Sequence, residues 1–266
     1  NSWEDFTDYS KQFYFNEQAQ NMMYNHIKKV LNRKNSITGK IYKKDPTIMA
    51  WQLANEPRGY DVPEAFVAWT RKTSAYIKSL DNYHLVCLGT EGNTSGTTAG
   101  TNVLRDNNDV NIDYITMHIW AQNWGWFKPT QGEDVFQNAL KKVDDYWEDH
   151  VQVAKTLNKP IVLEEFGIAR DSSSYKPSAT TVWRDRFYNY LFEKVANSIT
   201  TNGPVKGLNF WTYSGEGRPT NPGKFWQKGD TLIGDPPHEL QGWYGVYNSD
   251  LTTLDIIKKY SNKIKI

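Results

Sequence analysis

Two glutamates, Glu56 and Glu165, each close an apolar, strand-like run: TIMAWQLANEPR over residues 47–58 and PIVLEEFG over 160–167. Paired carboxylates delivered by different strands are the minimum equipment for cleaving a glycosidic bond. The acetal carbon passes through an oxocarbenium-like transition state, in which one acid protonates the departing oxygen and a second, ionised carboxylate faces the carbon. With the two carboxyl groups roughly 5–5.5 Å apart, the ionised one attacks carbon and the anomeric configuration is retained; a wider gap admits water instead. An acid beside an ionised carboxylate also holds its proton more tightly, and releases that hold once the neighbour is esterified.

Something must carry both groups to one place. Apolar runs of strand character alternate with longer segments of helical period, and this alternation predicts a parallel sheet. The helical segments are residues 16–32, 63–80, 132–157, 177–199 and 253–264, with Pro63 and Pro177 suited to first-turn positions. The strand-like runs are 47–53, 84–89, 114–118, 161–165 and 206–211. Residues 1–14 read as a long loop leading into the first helix. The loops after the strands hold nearly all the reactive side chains, including Asn55, Glu56, Arg58, Glu91, His118, Trp120, Glu165 and Trp211. Clustering at one end of a sheet favours a closed (β/α)8 TIM barrel, whose site lies at the carboxyl ends of its strands. A doubly wound sheet is the weaker option, since no Gly-rich phosphate loop is present in the sequence.

Composition narrows the classes further. With 31 basic against 30 acidic residues and a net charge of +1 over 266 residues, the chain lacks the basic excess of a nucleic-acid binder. It reads as one globular domain. Aromatics make up 14%, with eleven Trp, more than an ordinary core requires and typical of surfaces that stack sugar rings. Trp124, Trp126 and Trp226 lie in polar loops and serve either as stacking platforms along a cleft or as loop packing. Cys87 is the only cysteine, so it forms no intramolecular disulfide and reads as a small core residue. The five histidines show no metal-ligand spacing, so no metal and no cofactor is expected. There is no apolar run long enough to span a membrane, and a secreted protein with its leader removed would look like this. Asn93-Thr94-Ser95 matches the N-glycosylation pattern, a short signal that also occurs by chance. The lysines at 258–259 and 263–265 read as a solvated helix face.

Glu164 rivals Glu165. Neighbouring strand residues point to opposite faces, so only one of them is expected to look into the site, and nothing local chooses between them.

The motifs ANEPR, HIW, LEEFG and the late FW together resemble clan A glycoside hydrolases. More narrowly, DPTIMAWQLANEPR (45–58) and GDPPHELQGWYGVYNSD (234–250) resemble the endo-β-1,4-mannanases of glycoside hydrolase family 5, the likeness running from about Lys11 to the C-terminus. That resemblance implies a (β/α)8 barrel of which this chain supplies the last five βα units, the first three strands being missing or on another piece. Residues 1–266 would then be one N-terminally incomplete catalytic domain, monomeric once the barrel is complete, with no second domain. It further implies Glu56 as general acid/base and Glu165 as nucleophile. Asn55 would bind the sugar 2-OH, Arg58 and Glu91 neighbouring sugar units, and Trp211 the floor under the reacting sugar. His118 would contact the nucleophile region, and Trp120 stands where many relatives have a Tyr that hydrogen-bonds the nucleophile. Indole donates but does not accept, so Trp120 reads as a donor or stacking wall. The expected activity is retaining hydrolysis of internal bonds in mannan, glucomannan or galactomannan, by a secreted or extracellular enzyme. The alternatives are a β-1,4-glucanase on the same scaffold and a non-catalytic mannan-binding protein derived from it.

Overall fold

A computed structural model describes residues 2–94 and 99–264; Ser95 of the glycosylation pattern and Lys265 of the final lysine run lie outside the described residues. Strands and helices alternate as the periodicity requires, within two compact units: Asn1–Met117 with Gln152–Pro160, and His118–Val151 with Ile161–Ile266.

The first unit opens with helix α1 (Trp3–Lys11), where the sequence suggests a loop. The reason is local: the Ser2 hydroxyl accepts from Asp5 N and the Asp5 carboxylate accepts from Ser2 N, a reciprocal cap that satisfies two otherwise orphaned amides. Helix α2 (Glu17–Leu31) follows, capped by the Asn16 side chain on Ala19 N. Strand β1 (Ala50–Gln52) leads to α3 (Pro63–Leu80), which starts on Pro63 as expected, and then to β2 (Leu85–Cys87). β1 and β2 pair in parallel, with Ala50 opposite Leu85 and Gln52 opposite Cys87. The short helix α4 (Val103–Asp106) precedes β3 (Ile115–Ile119), and a parallel bridge joins Cys87 to Tyr114. Leu31, Leu53, Phe66, Trp69, Ile77, Val86, Leu88 and Ile112 form the core, with Phe13 and Tyr14 packed against it. Cys87 is buried there, in line with a small core residue.

The second unit takes up β3 at His118. Its further elements are α5 (Glu133–Leu157, whose last residues belong to the first unit), β4 (Ile161–Phe166), α6 (Val182–Thr200) and β5 (Val205–Leu208). The sheet order is β3-β4-β5, and β4 runs parallel to β5. Strands β6 (Tyr213–Gly215) and β7 (Val246–Tyr247), which the periodicity does not reveal, form a separate parallel pair before α7 (Leu251–Lys263). Helix α6 begins five residues after Pro177, so that proline is not in its first turn. The Asp171 carboxylate sets the start instead, accepting from Val182 N at 2.9 Å and Trp183 N at 3.0 Å, which compensates the first-turn amides from a distant loop. Arg170 and Arg184, both buried, share the Asp250 carboxylate at 2.6 and 3.4 Å. No helix among the described residues is long and apolar enough to cross a membrane.

Candidate active site

The first carboxylate sits beyond its strand. Glu56 lies four residues past the end of β1, in a turn where its own φ is +46°. A residue with a Cβ adopts this left-handed conformation only where surrounding structure imposes it. Here the Glu56 amide donates to Gly89 O at 2.9 Å, which ties the turn to the residues following β2. Gly89 has φ +86°, and a Cβ added to it would lie 2.0 Å from Ala54 O, so the approach requires glycine. Asn55, just before, is exposed, and Glu56 is half-buried.

Arg58 and Glu91 meet. The guanidinium Nε donates to Glu91 Oε1 at 2.8 Å and Nη2 to Oε2 at 3.1 Å, a two-pronged pair. Glu91 is 3% exposed, so it is not the solvated loop carboxylate its sequence context allows. Tyr14 steadies this arm by donating its hydroxyl to Arg58 O at 2.8 Å. Burial raises the pKa of that phenol, which keeps it a donor across the working range.

In the second unit the carboxylate lies within the strand itself. Glu165 occupies β4, beside Glu164, and both are half-buried. His118, at the end of β3, is fully buried and turns its ring toward them: Nδ1 lies 3.3 Å from Glu165 Oε2 and Nε2 lies 3.5 Å from Glu164 Oε2. Alternation is expected to turn only one of the two toward the site, and both come within 3.5 Å of the His118 ring. Alternation does separate their Cβ atoms, yet glutamate is long enough for both carboxylates to close on one imidazole.

Aromatic residues line the same region. Trp120 packs on Tyr244 at 5.0 Å between ring centroids, and Tyr244 stacks on Trp243 at 4.9 Å and 14°. The Tyr244 hydroxyl donates to the Asn123 side chain. Gly167, two residues after Glu165, allows this closeness: a Cβ there would lie 2.6 Å from Trp211 O and 3.0 Å from the Trp120 ring. Trp211 is half-buried, its amide donating to Phe166 O at 2.9 Å, and its bond to Thr212 is cis. Trp124 and Trp126 meet edge to face at 4.9 Å, and Trp124 also packs on Tyr146 of α5 at 5.3 Å. Both are half-buried. Trp226 donates its indole N–H to Asp230 O at 3.1 Å, within its own loop. Sequence reasoning weighed Glu164 only as a rival to Glu165, and it missed Tyr244 and Trp243, which only the WY pair inside GDPPHELQGWYG could have signalled.

Glu56, Glu165 and His118 carry donor atoms of the kind a divalent ion accepts. The same atoms are those required for general acid, nucleophile and hydrogen-bonding work on an acetal.

A family model described as "GH family 5 beta-mannosidase-like" matches residues 1–266. Two Arabidopsis thaliana proteins named mannan endo-1,4-beta-mannosidase are similar: number 7 is 34% identical over 91% of this chain and 53% of its own length, and number 5 is 32% identical over 87% and 54%. The chain therefore spans about half the length of these curated relatives. Among solved structures, a glycoside hydrolase family 5 mannosidase from Rhizomucor miehei superposes with a TM-score of 0.86 at 38% identity, covering 99% of this chain and 63% of that one. A glutamate-to-alanine mutant of that enzyme was solved with mannosyl-fructose. An endo-beta-1,4-mannanase from Thermotoga petrophila superposes with a TM-score of 0.71 at 27% identity, covering 96% and 52%.

Proposed function

The chain belongs to the GH family 5 beta-mannosidase-like family, and from that premise we propose that Glu56 and Glu165 are the catalytic pair of a retaining endo-β-1,4-mannanase. The observation that carries this reading is the delivery of one carboxylate after β1 and another in β4, in a chain that resembles named mannan endo-1,4-beta-mannosidases along most of its length. The solved relatives support a (β/α)8 barrel, and we read β1 to β5 as five of its strands, the last five βα units of one catalytic domain.

In the first step Glu165 attacks the anomeric carbon, the glycosidic C–O bond breaks, and Glu56 gives its proton to the departing oxygen. In the second, water attacks the same carbon, Glu56 takes its proton, and the ester bond to Glu165 breaks. Asn55 hydrogen-bonds the 2-OH, the position at which mannose and glucose differ. Arg58 and Glu91, already locked together, present a fixed donor and acceptor set to a neighbouring sugar, so little ordering is left to be done on binding. Trp211 lies under the reacting sugar, with Trp120 as a wall, and Trp124 and Trp126 extend the aromatic surface. No step draws on a cofactor.

A second reading, an exo-acting β-mannosidase, is favoured by the match to a beta-mannosidase-like family and by the likeness to the Rhizomucor miehei mannosidase at TM-score 0.86. Mannohexaose labelled at its reducing end separates the two. Internal cleavage yields labelled fragments of several lengths from the first turnover, whereas exo action releases mannose alone and shortens the label one unit at a time. If neither mannohexaose nor locust-bean gum gives new reducing ends, the enzymatic reading fails and the mannan-binding alternative stands. Faster turnover of carboxymethylcellulose than of mannan would assign a glucanase instead.

A further inference from the structure

Between β6 and β7 no helix or strand lies among the described residues 216–245. Connections longer than about 12–15 residues are uncommon in compact units, and they are usually functional or disordered. This one is held in order by its own hydrogen bonds. At its tip the Asp230 carboxylate accepts from Gln227 N at 2.9 Å and from the Asn221 side chain at 3.3 Å. Asp230 N donates back to Gln227 O at 2.9 Å, around Gly229, whose φ is +102°. At its base Gly223 N donates to Gln241 O at 2.8 Å and Gln241 N to Lys224 O at 2.9 Å, beside an antiparallel bridge between Phe225 and Leu240. Gln241 is buried, and its side chain donates to Pro236 O at 2.9 Å. What this framework displays is apolar: Phe225 is 55% exposed and Leu232 75%, and the half-buried Trp226 has its indole N–H fixed on Asp230 O. Lys224, Gln227 and Lys228, all exposed, flank the two rings in the chain.

We propose that residues 221–232 form a rigid tongue on which a β-mannan chain docks, with Phe225 and Trp226 as its stacking platform. The proposal rests on mannan being the substrate. A pyranose presents an apolar C–H face to a ring and hydroxyls to the polar groups around it, and rings flanked by exposed amide and ammonium groups match both. Because the backbone is already ordered, docking there loses little conformational freedom. A single exposed ring on a surface needs no ligand; two neighbouring rings and a leucine on one hydrogen-bonded tongue are a different case. The occupant follows from where the tongue is fastened. Gln241, which closes its base, directly precedes the run Gly242-Trp243-Tyr244, and Tyr244 stacks on Trp243 and packs on Trp120. The tongue is thus continuous with the aromatic wall of the candidate active site, so its ligand is the polymer that this wall serves rather than an unrelated partner.

The test uses the whole chain with locust-bean galactomannan, both cast into a native gel and supplied as substrate. Phe225→Ala removes a ring that makes no hydrogen bond through its side chain, so the framework stays; Trp226→Phe keeps a ring and loses only the N–H donor. Phe225→Ala and Trp226→Ala should each weaken retardation by the gel and raise KM on the polymer about fivefold, the worth of one aromatic contact. Their kcat and KM on 2,4-dinitrophenyl β-mannoside should stay at wild-type values, and Trp226→Phe should keep most of the polymer binding. Wild-type retardation and polymer KM in both alanine variants overturn the proposal. So does an equal loss on the aryl mannoside, which would make the tongue a support of the reacting site. A concentration-dependent dimer that Phe225→Ala abolishes, with polymer binding unchanged, would give this face to a second copy instead. If the wild type is neither retarded by galactomannan nor able to cleave it, the reading as a mannan enzyme fails, and the tongue loses this occupant with it.

Discussion

The two arms hold their carboxylates by opposite means. In the second unit Glu165 lies inside β4, between the stretch Ile161–Leu163 that pairs with β5 and Phe166, whose carbonyl accepts from the Trp211 amide at 2.9 Å. In the first unit β1 ends at Gln52, and Glu56 is held by a left-handed turn that depends on the Gly89 carbonyl and on the absence of a side chain there. The charged groups each arm carries differ too. The first arm has an Arg58–Glu91 ion pair in which only the glutamate is buried, whereas the second has an imidazole between two carboxylates. A strand residue is supported by many equivalent hydrogen bonds, so side-chain chemistry there can change without moving the backbone. A turn residue is supported by a few particular ones, so the first arm is the more fragile of the two.

The largest expected effect tests whether the arms are equal in chemistry. Glu165→Ala and Glu56→Gln should each lower mannan hydrolysis by about 1,000-fold or more, as loss of a nucleophile or general acid does, with unchanged circular dichroism. Near wild-type turnover in either variant would remove that arm from the reaction.

Next comes the anchorage of the first unit. Asp81 accepts from the Trp51 indole at 2.7 Å, from Tyr83 N at 3.0 Å, and from His84 through both N and Nδ1 at 3.2 and 2.6 Å. Burial pushes this carboxyl upward, but those hydrogen bonds outweigh it and hold the pKa below the ordinary 3.8. A folded pKa below the unfolded one means the stabilisation is complete above the unfolded value and fades as pH falls through the folded one. Denaturant melts should therefore weaken below about pH 4, and Asp81→Asn should flatten that acid limb. Asp81→Ala, which strands the donors, should cost about 3 kcal/mol at pH 7.

Gly89→Ala addresses the fragility itself. Strain at φ +86° and collision with Ala54 O should cost about 2 kcal/mol and reduce activity through Glu56. A Gly89→Ala enzyme with wild-type melting temperature and rate would show that the turn is not what holds the first carboxylate. Smaller still, Arg58→Lys should raise KM about tenfold with kcat nearly kept, since an ammonium cannot reproduce the two-pronged bond to Glu91. A pure kcat effect would place Arg58 in the chemistry instead. Last, Trp124→Ala should raise KM on polymer by only a few-fold, the worth of one aromatic contact, and leave short aryl mannosides unaffected. Unaltered polymer kinetics would confine Trp124 to packing on Trp126 and Tyr146.

Much of this was legible beforehand. The alternation of runs located β1 to β5 within a few residues, and Pro63 marked the start of α3. Both are local signals. The misses had nonlocal or overlooked causes: α1 is announced by its cap, Ser2 with Asp5, a local signal that went unread, and its Phe6 and Tyr9 remain exposed rather than joining the core. Helix α6 was misplaced because its first amides are compensated by Asp171, which is ten residues before its N-cap, Thr181.

By itself the sequence determined which residue types stand at the ends of which strands, because side-chain period and turn chemistry are written into neighbouring positions. Glu56 and the tryptophans were singled out that way, whereas the choice of Glu165 over Glu164 came from the family resemblance. Only the tertiary structure decided the partners: Arg58 with Glu91 across 33 residues, and one His118 ring shared by Glu164 and Glu165. Such pairings depend on strand register and on side-chain reach across the sheet, quantities that arise only when distant segments pack together.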